Sequence, residues 1–184
     1  MSLITIIIIA AVLVVVVCAA AALTLSARRR KLRERFGPEY ERTVEAEESR
    51  RAGERELRER QERHDALDIK ELLAPVRDRY AQDWARVQEQ FVDRPEDAVH
   101  EADRLVTTLM GERGYPTEGY EQQVKDLSVE HGRTLEHYRA AHEVNDRSSR
   151  HQATTEELRG AMVHYRALFE ELLHDGDRPR GSRG

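Results

Sequence analysis

A single cysteine, Cys18, serves the whole 184-residue chain, and it lies inside an apolar run. No intramolecular disulfide can form, and a cysteine-based metal site is excluded from the polar part of the chain. Aromatic residues are scarce at 5%, whereas charged residues make up 35%. Strands favour aromatic and β-branched side chains, so this balance points to solvated helices around a modest core. Only Lys31, Lys70 and Lys125 are lysines among 30 cationic residues. The other 27 are arginines, a bias that fits a GC-rich genome and carries no functional information. A glycine-rich phosphate loop, a His-Glu-x-x-His zinc motif and a nucleophile elbow are all missing. The length leaves room for one domain of ordinary size beyond the N-terminal segment, which predicts no second, catalytic domain.

What the N-terminus does have is residues 3–27 without a charge, rich in Ile, Val, Ala and Leu. At 1.5 Å per residue such a helix exceeds the roughly 30 Å hydrocarbon core, so residues 1–27 are expected to form a transmembrane helix. A cleaved signal peptide is the rival, with small residues at 19–22 for cleavage. Such a peptide needs a cationic start and an apolar stretch of about 7–15 residues, which this segment does not match. A lipoprotein signal fits less well, because Val17 stands where a small residue should precede Cys18.

Directly after this run comes a basic juxtamembrane segment, 28–36. Arg28, Arg29, Arg30, Lys31, Arg33 and Arg35 stand against Glu34 alone, a net charge of +5. The other flank has no Lys or Arg, so the positive-inside rule predicts an outside N-terminus and a cytoplasmic C-terminal part. The same cations suit anionic inner-leaflet lipids, at about 1 kcal/mol per basic residue near the surface. From Gly37 onward, 24 cations face 34 anions, a net of −10, which predicts no nucleic-acid binding.

Gly37-Pro38 predicts a bend. Residues 37–68 are mostly Glu and Arg, with Glu54/Arg58, Glu56/Arg60 and Glu59/Arg63 at i,i+4. They read as a charged helical stalk of about 45 Å, or as a partly disordered segment. In 69–174 the pattern changes to apolar stripes. Ile69, Leu73, Val76, Tyr80, Trp84, Val87 and Phe91 mark a first helix, whose opening turn holds Pro75. A second helix runs from Pro95 to Arg113, and Gly111 and Gly114 announce its end. After the loop "GYPTEGY" a long third helix is expected to reach Val144. Its stripe comprises Tyr120, Val124, Leu127, His131, Leu135, Tyr138 and His142. A fourth helix begins at Thr154, which forms a capping box with Glu157, and presents Leu158, Met162, Tyr165, Phe169 and Leu172. Residues 175–184 read as a disordered tail.

The fold class is therefore all-α: a single N-terminal transmembrane helix, a charged stalk and an antiparallel bundle of about four helices. The stripes can also pair between chains as a coiled coil, so a homo-oligomer stays open. No metal or other cofactor is expected. Only Glu171 and His174 match the Glu-x-x-His spacing of bundle di-iron sites within the bundle, and they fall at a helix end. Tyr120, His131, Tyr138 and His142 form a candidate polar pocket. The two histidines, about 16 Å apart along a helix, cannot share a metal ion.

The runs "LRERFGPEYERTV" (32–44) and "RGYPTEGYEQ" (113–122) resemble an uncharacterised family of small membrane-anchored or secreted helical proteins of high-GC Gram-positive bacteria. The resemblance implies no enzyme class and no site residues. The leading expectation is a non-enzymatic scaffold tethered to the membrane, with a protein partner of unknown identity. The alternative is a ligand- or pH-responsive sensor using the Tyr/His face, and a third reading is an envelope-facing or secreted protein released by signal cleavage.

Overall fold

A computed structural model describes residues 3–174, with side chains from residue 11 onward. The expected tail at 175–184 lies outside the described residues. Among them every regular element is a helix: α1 (Leu3–Phe36), α2 (Pro38–Ala46), α3 (Arg50–Asp65), α4 (Ala74–Asp93), α5 (Pro95–Arg113), α6 (Tyr120–Leu127), α7 (Leu135–Ser148) and α8 (Thr155–His174). The chain divides into two compact units at Arg58.

In the first unit α1 is long and apolar enough to cross a membrane, and the apolar side chains from Val12 to Leu25 are exposed. It stops at Gly37, whose φ of 54° suits glycine and whose N–H bonds back to Arg33 O at 2.9 Å. Pro38 then occupies the first turn of α2, as expected from its fixed φ and missing N–H. The 37–68 segment is not one continuous stalk. Helix α2 ends at Ala46, and α3 restarts at Arg50 so close to α2 that a Cβ on Gly53 would lie 2.8 Å from Val44 Cα. Phe36, Tyr40 and Leu57 are fully buried. Three such side chains in a sea of charge supply the apolar burial that a straight, solvated stalk would forgo.

The second unit is the bundle. Contacting pairs fix its directions. Across α7 and α8, Tyr138 meets Tyr165 and Arg147 meets Glu157, so one number falls as the other rises and the helices are antiparallel. Arg79 with Glu112 sets α4 against α5, and His100 with Asn145 and Asp103 with His142 set α5 against α7. Asp103 with Tyr165 and Arg113 with Leu172 make α5 and α8 parallel. An up-down-up-down bundle of α4, α5, α7 and α8 results. Its core holds Trp84 stacked on Phe169 at 4.7 Å, with Val106, Leu109, Leu158 and Leu168 buried around it.

Two helix boundaries differ from expectation. Ile69 and Leu73 lie outside α4, because residues 66–73 run without helix along the end of α5, where Lys70 N–H bonds to Arg113 O at 2.8 Å. That approach requires Gly114: its φ is 95°, and a Cβ would run into the Asp68 carbonyl oxygen. The expected third helix is broken into α6 and α7 by turns at 128–134. Ser128 Oγ bonds to Lys125 O at 2.6 Å, competing with the helix ladder, and Gly132 is a poor helix former. The predicted capping box of α8 is formed: Thr154 N–H donates to Glu157 Oε2 at 2.7 Å and Glu157 N–H to Thr154 Oγ1 at 3.3 Å. The Thr154 N–H, the Arg147 guanidinium and the Thr154 hydroxyl, all donating to it, hold the Glu157 carboxyl at a pKa of about 2.

Candidate functional site

Two groups of polar side chains stand out, one in each unit. In the first, the cations that follow the apolar run share one helix with it, and several are drawn onto acids. Arg29 Nε lies 3.1 Å from Glu54 of α3, Arg30 pairs with Glu34, and Arg33 pairs with Glu41 at 2.8 Å. Arg33 also sits over the Tyr40 ring, and the Tyr40 hydroxyl donates to Glu54 at 3.0 Å. Glu54 is thus a buried acid, 7% exposed, joining all three helices of this unit. Burial, followed by the Glu54 hydrogen bond and charge, pushes the Tyr40 hydroxyl above the ordinary tyrosine range. Arg28, Lys31 and the other cations of the run except Arg29 and Arg35 are well exposed. The sequence showed these arginines but not Glu54, since an acid in a Glu/Arg-rich helix carries no mark of burial.

In the bundle, the structure gathers three of the four proposed pocket residues. Tyr120 from the start of α6 stacks on His142 of α7 with centroids 4.0 Å apart, and Tyr138 lies one turn away at 6.0 Å. Asp103 of α5 accepts from Tyr165 of α8 at 2.7 Å and lies 3.1 Å from His142 Nδ1. The Tyr138 hydroxyl donates to Gln123 Oε1 at 3.0 Å, and Gln123 Nε2 to Thr117 O at 2.7 Å. Burial, aided by the Asp103 charge, moves both Tyr138 and Tyr165 far above the usual tyrosine range, so neither supplies a phenolate. Burial disfavours the imidazolium of His142, but the hydrogen bond and charge of Asp103, with Asp146 nearby, outweigh it and raise its pKa.

His131 does not join this group. The break after α6 takes it off the predicted stripe and buries it in the turn, where Nε2 meets the Tyr115 hydroxyl and Nδ1 meets Glu171, each at 3.1 Å. The four-residue pocket is therefore two separate, internally bonded networks. Asp103 and Gln123 were missed, whereas Tyr115 stood out only as part of the loop after α5 and Glu171 only for its spacing to His174. The only signal of Asp103 and Gln123 was a polar residue beside the apolar stripe of its helix, which is common on any amphipathic helix.

Among the described residues no group of three or more His, Cys, Asp or Glu side chains is arranged to hold a metal ion. The chain matches no protein-family model, no curated protein and no solved structure.

Proposed function

We propose that this protein is a non-enzymatic interaction module tethered to the membrane, with its helical bundle on the cytoplasmic side and a protein partner engaged by the bundle. One observation carries the reading: α1 is a single uninterrupted helix in which the apolar run passes directly into Arg28, Arg29, Arg30, Lys31, Arg33 and Arg35. Such a junction anchors the chain, and the cations favour the inner leaflet. The polar side chains of the Asp103 and His131 networks are bonded to one another, which supports a role through the surface of the bundle. The test is twofold. The full chain should resist alkaline carbonate extraction from membranes, and crosslinking in membranes should capture a partner that a truncation ending at Arg58 does not. Extraction by carbonate, or an identical capture profile for both chains, would count against the reading.

A second reading, a pH-responsive bundle, is favoured by His142, whose charge is stabilised by Asp103 and Asp146. It predicts that partner capture changes across neutral pH in the wild type and not in H142Q.

A further inference from the structure

The return of α3 onto the end of α1 makes something that neither segment has alone. Arg51, Arg55 and Arg58 are spaced by 4 and 3 residues and so share one face of α3. That face, together with Arg28 and Arg29 of α1, lines a groove of about 500 Å³. Its remaining lining residues are Leu25, from the apolar run, and Glu54, already paired with Arg29. A second concavity lies beside it, where Arg50 of α3 joins Arg30, Arg33 and Glu34, the last paired with Arg30. In the first groove five guanidinium groups face one space with a single carboxylate, Glu54, among them. The acidic average of the chain after Gly37 concealed this, because α3 turns Arg51, Arg55 and Arg58 to one side.

We propose that this α1–α3 groove is a binding site for a phosphate-bearing anion. Guanidinium forks match phosphate oxygens in bidentate geometry, which suits arginine better than lysine for the task. Leu25 places the groove at the boundary between apolar helix and cations, the level at which lipid phosphates lie beside a spanning helix. The lipid source of the phosphate rests on the anchoring proposed above. The groove itself does not, since a soluble polyphosphate offers the same chemistry.

The experiment uses the full chain in neutral detergent at about 0.15 M ionic strength, where diffuse surface attraction is screened beyond about 8 Å. It is titrated with short-chain phosphatidylglycerol, with short-chain phosphatidylcholine as the zwitterionic control, and with inorganic pyrophosphate. Tight binding of phosphatidylglycerol alone identifies a lipid headgroup, and binding of pyrophosphate as well identifies a site open to soluble phosphates. In either case R51Q/R55Q/R58Q should weaken binding on the order of a hundredfold, at roughly fivefold per basic residue. G53L keeps every charge but forces α3 away from Val44, and it should weaken binding similarly. R60Q/R63Q removes two cations of α3 that line neither concavity and should leave binding near wild type. Retention of wild-type affinity by either groove variant with native helicity would overturn the site, as would equal binding of the zwitterionic lipid. Carbonate extraction separates the two ideas: a chain that washes off membranes but binds pyrophosphate through the groove disproves the anchor alone. A chain that stays in membranes without phosphate selectivity disproves the groove alone.

Discussion

The two units of this protein are folded by different means. The bundle of α4, α5, α7 and α8 has a continuous apolar core, with Trp84, Leu109, Tyr165 and Phe169 among its buried side chains. The α1–α3 unit buries Leu32, Phe36, Tyr40 and Leu57 together with two acids, Glu39 and Glu54, of which Glu54 links its three helices. Apolar burial is additive and tolerant of small errors, at about 25 cal/mol per Å². A buried acid holds only while its hydrogen bonds and ion pair are made. The bundle should therefore lose stability in proportion to the apolar surface removed, whereas the α1–α3 unit should lose it when the bonds of a buried acid are broken.

The largest effect is expected in the bundle core. Leu109→Ala removes a fully buried side chain and should cost about 3 kcal/mol in urea unfolding followed by Trp84 fluorescence. Gly114→Ala should cost about 2 kcal/mol by the same measurement, because the left-handed backbone and the Asp68 carbonyl both resist a Cβ. Glu54→Ala should destabilise the first unit by about 2 kcal/mol through loss of the Tyr40 and Arg29 contacts, while the bundle transition stays in place. A shared loss of both transitions would erase the contrast between the units. Thr154→Ala removes the cap of α8 and should cost about 1 kcal/mol.

The smallest effects are in pH dependence, and two histidines should show opposite signs. The folded pKa of His142 is raised, so its contribution is complete below the ordinary value of 6.5 and is lost as pH rises through the shifted value. That of His164 is lowered by burial and by the neighbouring His137, so its contribution is present above 6.5 and is lost as pH falls. Relative to wild type, H142Q should gain ground on the alkaline side and H164Q on the acidic side, read by thermal melts across neutral pH.

The same contrast explains what was legible in the sequence. Stripes of period 3.6 located α4, α5 and α8 to within a few residues, and the Thr154/Glu157 spacing gave the cap of α8, because these signals are local. The break between α6 and α7 was hidden: Leu127, His131 and Leu135 keep helical spacing across turns in which tertiary bonds from Tyr115 and Glu171 hold His131. The fold-back of α3 was hidden for the converse reason. Its sequence is a good solvated helix, and only the contact of Gly53 with Val44 and the burial of Leu57 and Glu54 show that it is not a stalk. The cations of α1 could be read directly, whereas their partners Arg51, Arg55 and Arg58 could not, since nothing local reports which face of α3 meets α1.

The most direct test of the central claim is topology. Paired reporters, one active only in the cytoplasm and one only outside, would be fused after Gly184 in otherwise intact cells. The account predicts activity of the cytoplasmic reporter, with the arginines from Arg28 onward held at the inner leaflet. Activity of the external reporter would contradict it and would make the bundle an envelope-facing or secreted module.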